Sequence, residues 1–166
     1  MLILVTGLPA TGKSTVSKRL GHTLKAEILR TDIIRKELFN KPLYTDTEKE
    51  IIYKTLLLIA GHLLKQDIDV ILDGTFYKKE PRDQARKLAK KHGKRFFIVE
   101  TRCPEEIALS RLANRKRNLK SPSDADQEVY LKVKNLFEKI DDEHILIDTG
   151  WNIKEAVKDL VKKIKA

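Results

Sequence analysis

Short apolar stretches alternate with helical periodicities from one end of the chain to the other. Leu2–Val5 is continuously apolar and ends before a glycine, the pattern of a strand buried on both faces. Lys13–Lys25 follows as a helix, with Val16, Leu20 and Leu24 on one face. Further strands are predicted at Ala26–Arg30, Asp69–Leu72, Arg95–Glu100 and Ile145–Ile147. Helices are predicted at Ile33–Phe39, Asp46–Lys65, Pro81–His92, Glu105–Asn114, Asp124–Ile140 and Ile153–Ile164. Thr45 and Glu48 have the spacing of a capping box at the start of the longest helix, Gly93 stops the one ending at His92, and Pro104 suits a first turn. Five strands separated by helices predict one α/β domain over residues 1–166, a parallel sheet with helices on both faces. Residues 115–122 are basic and polar and read as the mobile part of a short lid over about 111–126.

Composition narrows the setting. A chain of 166 residues suits one core, and no apolar run approaches the length of a membrane span. The N-terminus lacks the basic flank and cleavage site of a signal peptide, so it reads as the first strand. Cys103 is the only cysteine, which excludes a disulfide framework and favours a reducing, cytoplasmic location. His22, His62, His92 and His144 have no metal-ligand spacing. The net charge is +10, and residues 74–120, with fifteen Lys and Arg against five Asp and Glu, account for all of it. That asymmetry points either to an anionic partner or to a lysine-rich solvated surface.

The chemistry starts at residues 7–14. Gly7, Leu8, Pro9, Ala10, Thr11, Gly12, Lys13 and Ser14, continued by Thr15, match the phosphate-loop pattern G-x-x-x-x-G-K-[ST] between a predicted strand and a predicted helix. The glycines let successive N–H groups turn inward toward phosphates, and the helix adds its positive N-terminal end. Lys13 supplies a cation for the β- and γ-phosphates and Ser14 a hydroxyl for Mg²⁺. Such a loop defines a nucleotide site but not a reaction.

Three further groups bear on the reaction. Asp32 and Arg35 follow the second strand three residues apart, so on a helix they share a face at the carboxyl edge of the sheet, where ligands bind. There a carboxylate can accept a proton from an attacking hydroxyl and a guanidinium can hold a phosphate; alternatively Asp32 is a helix N-cap. Asp73 ends an apolar strand and can hold Mg²⁺ through water or fix another side chain. Arg111 and Arg115 lie four apart before the polar stretch, with Arg117 close by, and can clamp a transferring phosphoryl or complement a helix dipole. No N-K-x-D sequence of a guanine site is present, which argues against a GTPase switch.

With these motifs the chain resembles the P-loop kinases grouped with polynucleotide 5′-hydroxyl kinase, seryl-tRNA kinase, the zeta toxins and gluconate kinase. The resemblance rests on Gly7–Thr15, Asp32-Ile-Ile-Arg35, Val70–Phe76, Arg82 and Arg111-Leu-Ala-Asn-Arg115, and Ser123–Asp126 and Ile147–Thr149 extend it. It implies a P-loop NTPase three-layer sandwich of strand order 2-3-1-4-5, with ATP and Mg²⁺. It also implies Asp32 as general base, Arg35 on the acceptor or transition-state phosphate, Asp73 supporting the metal or Arg35, and Arg111 and Arg115 as lid residues near adenine and the phosphates. Against that resemblance, these 166 residues are not expected to include the C-terminal tRNA-binding domain of seryl-tRNA kinase or the phosphatase half of bacteriophage-type polynucleotide kinase, which leaves the acceptor open.

The expectation is an ATP- and Mg²⁺-dependent kinase acting on a hydroxyl of a small molecule or nucleotide. A polynucleotide 5′-hydroxyl kinase is the alternative, for which the basic 78–95 segment speaks, with Tyr44, Phe76 and Tyr77 stacking on bases. An ATP-binding regulator or weak ATPase without acceptor is the third. The acceptor pocket is expected from residues 36–60 and 76–82, and Trp151 either borders adenine or packs inside.

Overall fold

The computed structural model describes residues 1–116 and 124–166. The elements run β1 (Leu2–Thr6), α1 (Lys13–Leu24), β2 (Glu27–Arg30), α2 (Thr31–Leu38), α3 (Asp46–Lys65), β3 (Val70–Asp73), α4 (Lys79–Lys91), β4 (Phe96–Arg102), α5 (Glu105–Lys116), α6 (Gln127–Leu136), β5 (Ile145–Asp148) and α7 (Ile153–Lys165). The five strands form one sheet of order β2-β3-β1-β4-β5, every neighbouring pair parallel. Both the sheet order and the helices on its two faces are as the sequence leads one to expect.

Alternation along the strands divides the core in two. Leu2, Leu4, Val70, Leu72 and Ile98 face one side, where Leu56 and Ala60 of α3 and Ala85 and Ala89 of α4 cover them. Ile3, Val5, Ile71 and Val99 face the other and meet Val16 and Leu20 of α1 and Val157, Leu160 and Ile164 of α7. The central strand β1 is buried throughout, while the edge strands expose Glu27 and Leu146. A smaller cluster of Ala10, Ala108, Leu112 and Tyr130 ties the phosphate loop to α5 and α6.

Three local boundaries differ from the pattern. α2 begins at Thr31, so Asp32 lies within the first turn rather than capping it. α6 starts only after Asp126, whose side chain accepts from Val129 N at 3.0 Å, and ends at Leu136, with Phe137 extended. The following backbone is held by Arg82, fully buried at 1 % exposure. Its Nη1 donates to Phe76 O at 2.9 Å, and its Nη2 to Glu138 O at 3.0 Å and Lys139 O at 3.2 Å. One guanidinium thus fixes both the left-handed turn at Phe76 (φ 42°) and the stretch where α6 stops.

The capping box forms by half. Thr45 Oγ1 accepts from Glu48 N at 3.2 Å, but the Glu48 carboxylate turns to Leu43 N (2.7 Å), Tyr44 N (3.1 Å) and the guanidinium of Arg35. Arg35 and Glu48 are both buried, and Arg35 stacks on Tyr44 at 4.7 Å. Burial works against the Glu48 charge, but Arg35 and the two backbone donors outweigh it and hold its pKa below the ordinary value.

Replacing Arg82 by Ala leaves three carbonyls, the buried one of Phe76 and the part-buried ones of Glu138 and Lys139, without their donor and is expected to lower stability by about 2–4 kcal/mol in urea unfolding. Arg82→Lys should recover little of this, because an ammonium cannot span the same fork of acceptors. For Glu48 the sign is set by its depressed folded-state pKa. The stabilisation is present above the unfolded value, about 4.3, and is lost as pH falls through the lower folded one. Glu48→Gln is expected to flatten that acid limb in a pH series of thermal melts.

Candidate functional site

The phosphate loop is shaped by contacts with the ends of β4 and β5. Gly7 has φ 143°, and a Cβ there would stand 2.5 Å from Thr101 O, so no other residue fits. Thr11 Oγ1 shares a hydrogen bond of 2.7 Å with Thr101 Oγ1, and Thr149 Oγ1 donates to Thr11 O at 2.6 Å. Gly12, with φ 87°, caps α1 without any side chain on its first amides, which leaves them to an anion. Lys13 arches back over the loop, Nζ donating to Gly7 O at 3.0 Å and Leu8 O at 2.8 Å.

Ser14 and Asp73 are brought together from α1 and β3, with an unforeseen third group between them. Arg30, the last residue of β2, donates from Nη2 to Ser14 Oγ at 2.8 Å and from Nε to Asp73 Oδ2 at 3.2 Å. The parallel register pairs Arg30 with Asp73 directly, which explains the bridge. Burial pushes the Asp73 carboxyl up from the ordinary carboxylate range, while Lys13 and Arg30 pull it back down. A hydroxyl and a carboxylate beside the phosphate loop are hard oxygen donors of the kind Mg²⁺ takes. The guanidinium already neutralises that pair.

Asp32 is half-buried and has no hydrogen-bond or ion-pair partner among the described residues. Arg35 reaches the same cavity but is committed to Glu48, and its Nε has no partner although buried. Arg111, expected on a lid, is instead tied to the base of the site. Its Nη1 donates to Ala10 O at 3.2 Å and its Nη2 to Thr149 O at 2.7 Å, so it clamps the phosphate loop to the end of β5. Arg115 continues α5 by its backbone, but its side chain, Arg117 and the centre of the expected lid lie outside the described residues.

Lys13, Ser14, Arg30, Asp32, Arg35 and Asp73 line one cavity of about 380 Å³. Its floor is the phosphate loop with Arg30, Asp32 and Asp73. One wall is Tyr44, Lys49 and Tyr53 at the start of α3, with Tyr77 after β3, and the roof is Asp124, Val129, Lys132, Val133 and Leu136. Asp124 pins the roof down, accepting from Tyr44 Oη and from Lys36 Nζ at 3.0 Å. Tyr44, Lys49, Tyr53 and Tyr77 fall in the two segments expected to build an acceptor pocket, whereas Phe76 packs in the core, against Tyr53 at 5.0 Å. Trp151 is 84 % exposed beside Arg19, so it does not pack inside. Arg30 was missed, and Asp124 and Thr149 were noted only within segments of resemblance and given no role, because these roles follow from sheet register and chain crossing.

Among the described residues, no helix is long and apolar enough to cross a membrane.

A family model described as AAA domain matches residues 2–140. L-seryl-tRNA(Sec) kinase of Methanococcus maripaludis is 28 % identical over 99 % of this chain, which spans 61 % of that relative's length. Among solved structures, Kti12 of Chaetomium thermophilum in complex with ADP-AlF3 superposes with a TM-score of 0.76 at 20 % identity, covering 99 % of this chain and 97 % of that one. APS kinase CysC of Mycobacterium tuberculosis, in complex with AMPPNP and APS, gives 0.73 at 18 % identity over the same shares, 99 % and 97 %. Because the matched stretch runs from the first strand through the phosphate loop to the backbone held by Arg82, the chain belongs to the AAA domain family, and its architecture is the P-loop kinase fold.

Proposed function

We propose that the protein is an ATP- and Mg²⁺-dependent kinase that transfers the γ-phosphoryl group of ATP to a hydroxyl of a small molecule. One observation carries the reading: Asp32, a carboxylate without a partner, lines the same cavity as Lys13 and Ser14 of the phosphate loop. A hydroxyl placed there can attack the γ-phosphorus as its proton passes to Asp32. A new P–O bond then forms, the bond from the γ-phosphorus to the bridging oxygen breaks, and ADP leaves.

The loop amides and Lys13 hold the phosphates, and Arg111 keeps the loop in that shape. Ser14 and Asp73 would hold Mg²⁺, which when bound neutralises charge on the phosphates. Arg35 is positioned by Glu48 at the cavity lining; Arg115 is proposed to complete the lid side. The kinase activities in the names of the M. maripaludis and M. tuberculosis relatives support the reaction class. A small acceptor is favoured over a polynucleotide end because the basic 78–95 segment contributes no residue to the cavity.

Asp32→Asn is expected to lower acceptor-dependent ADP release by about 10²–10⁴-fold with ATP affinity retained. Unchanged turnover would remove the general-base role. If no hydroxyl compound stimulates ADP release in the wild type, the protein is an ATPase or a nucleotide-dependent regulator instead. For the metal, Arg30→Met removes the cation that neutralises Ser14 and Asp73. It is expected to lower the Mg²⁺ concentration needed for half-maximal ADP binding, read by the fluorescence of Trp151, the only tryptophan. A raised requirement would show that Arg30 aids the metal rather than competing with it.

A further inference from the structure

The cavity charges are paired unevenly. Of its three carboxylates, Asp73 is held by Arg30, and Asp124 by Lys36 and Tyr44, which leaves Asp32 for the hydroxyl. On the α3–α6 side the cations outnumber their partners. Lys49 lies over the Tyr77 ring at 5.8 Å and within 3.5 Å of its hydroxyl. Its carboxylate partner Asp46, at 3.0 Å, is not part of the cavity and has a side chain 89 % exposed, so the pair is weak. Lys132, on α6, lines the cavity and has no ion pair among the described residues. The same Asp46 is held below the ordinary carboxylate range by Lys49 first, with Lys78 and Lys132 adding to the pull. Lys132 is solvent-exposed and lines the cavity beside Val129 and Val133.

We propose that Lys49 and Lys132, with the Tyr77 hydroxyl, form an anion subsite that holds a phosphate or carboxylate group of a small acceptor while its hydroxyl is presented to Asp32. The role of Asp32 rests on the kinase reading above; the anion subsite stands on the lysines alone. A volume of about 380 Å³ is at the lower end for a small-molecule site, which suits a monomeric acceptor.

The test uses protein saturated with Mg²⁺ and AMPPNP, titrated calorimetrically with matched pairs: glycerol and glycerol 3-phosphate, uridine and uridine 5′-monophosphate, glucose and gluconate. The phosphate and carboxylate pairs distinguish which anion is preferred, and a 5′-hydroxyl oligonucleotide serves as the polymeric arm. In at least one pair the anionic member is expected to bind more tightly than its neutral partner. Lys49→Met and Lys132→Met should each weaken it by about tenfold or more, while Lys49→Arg retains binding and shows that charge is the cause. The proposal is overturned if no anionic member out-binds its neutral partner, if both Met variants bind as the wild type does, or if the oligonucleotide alone binds. Turnover of the same compounds is measured separately. Lysine-dependent binding without phosphorylation sinks the kinase reading and leaves the subsite; equal turnover of neutral and anionic members sinks the subsite and leaves the kinase.

Discussion

In an all-parallel sheet every strand finishes on the same edge, and here the register brings the strand ends level with one another. Val5 and Arg30 both pair with Asp73, Thr6 pairs with Glu100, and Arg102 with Asp148. The chain leaving β1 must therefore turn within a space already occupied by the end of β4, and Gly7 passes where any Cβ would meet Thr101 O. The threonines on either side then close the loop. Thr101 holds Thr11 from β4, Thr149 holds it from the end of β5, and Arg111 fastens Ala10 to Thr149. The phosphate loop is thus given its shape by the ends of the sheet.

Two buried guanidinium groups extend this order to the cavity. Arg82 joins the turn after β3 to the backbone beyond α6, and Arg35 joins α2 to the cap of α3 through Glu48. A buried guanidinium that loses its acceptors is costly, so these bonds tie the loops they join to one arrangement. Between them they place Tyr77, Tyr44 and the start of α3 around the space above Asp32. The roof is attached more lightly, through the exposed contacts of Asp124 with Lys36 and Tyr44. A rigid floor under a lightly tethered roof suits a site that must admit an acceptor and then exclude water.

Most of the architecture could be read from the chain alone. Continuous apolar runs gave the central strands, the 3.6-residue spacing gave the helices, and Gly7–Ser14 marked the phosphate site because its function demands those residue types in that order. Asp32 and Asp73 were legible as candidates because they lie in a first turn and at a strand end, and Arg35 because it stands three residues from Asp32 on the same helix. Sequence alone therefore determined the α/β class, the strand order through its resemblance to known kinases, and the donor end of the site, since these depend on periodicity and on local backbone chemistry. Tertiary structure decided which candidates are available. Arg35 is engaged by Glu48, Arg111 is bound to backbone carbonyls, and Arg30 stands between Ser14 and Asp73. It also brought Lys49 of α3 and Lys132 of α6 to one cavity from positions more than eighty residues apart. Such pairings follow from strand register and helix packing over long separations, and no local pattern in the chain records them.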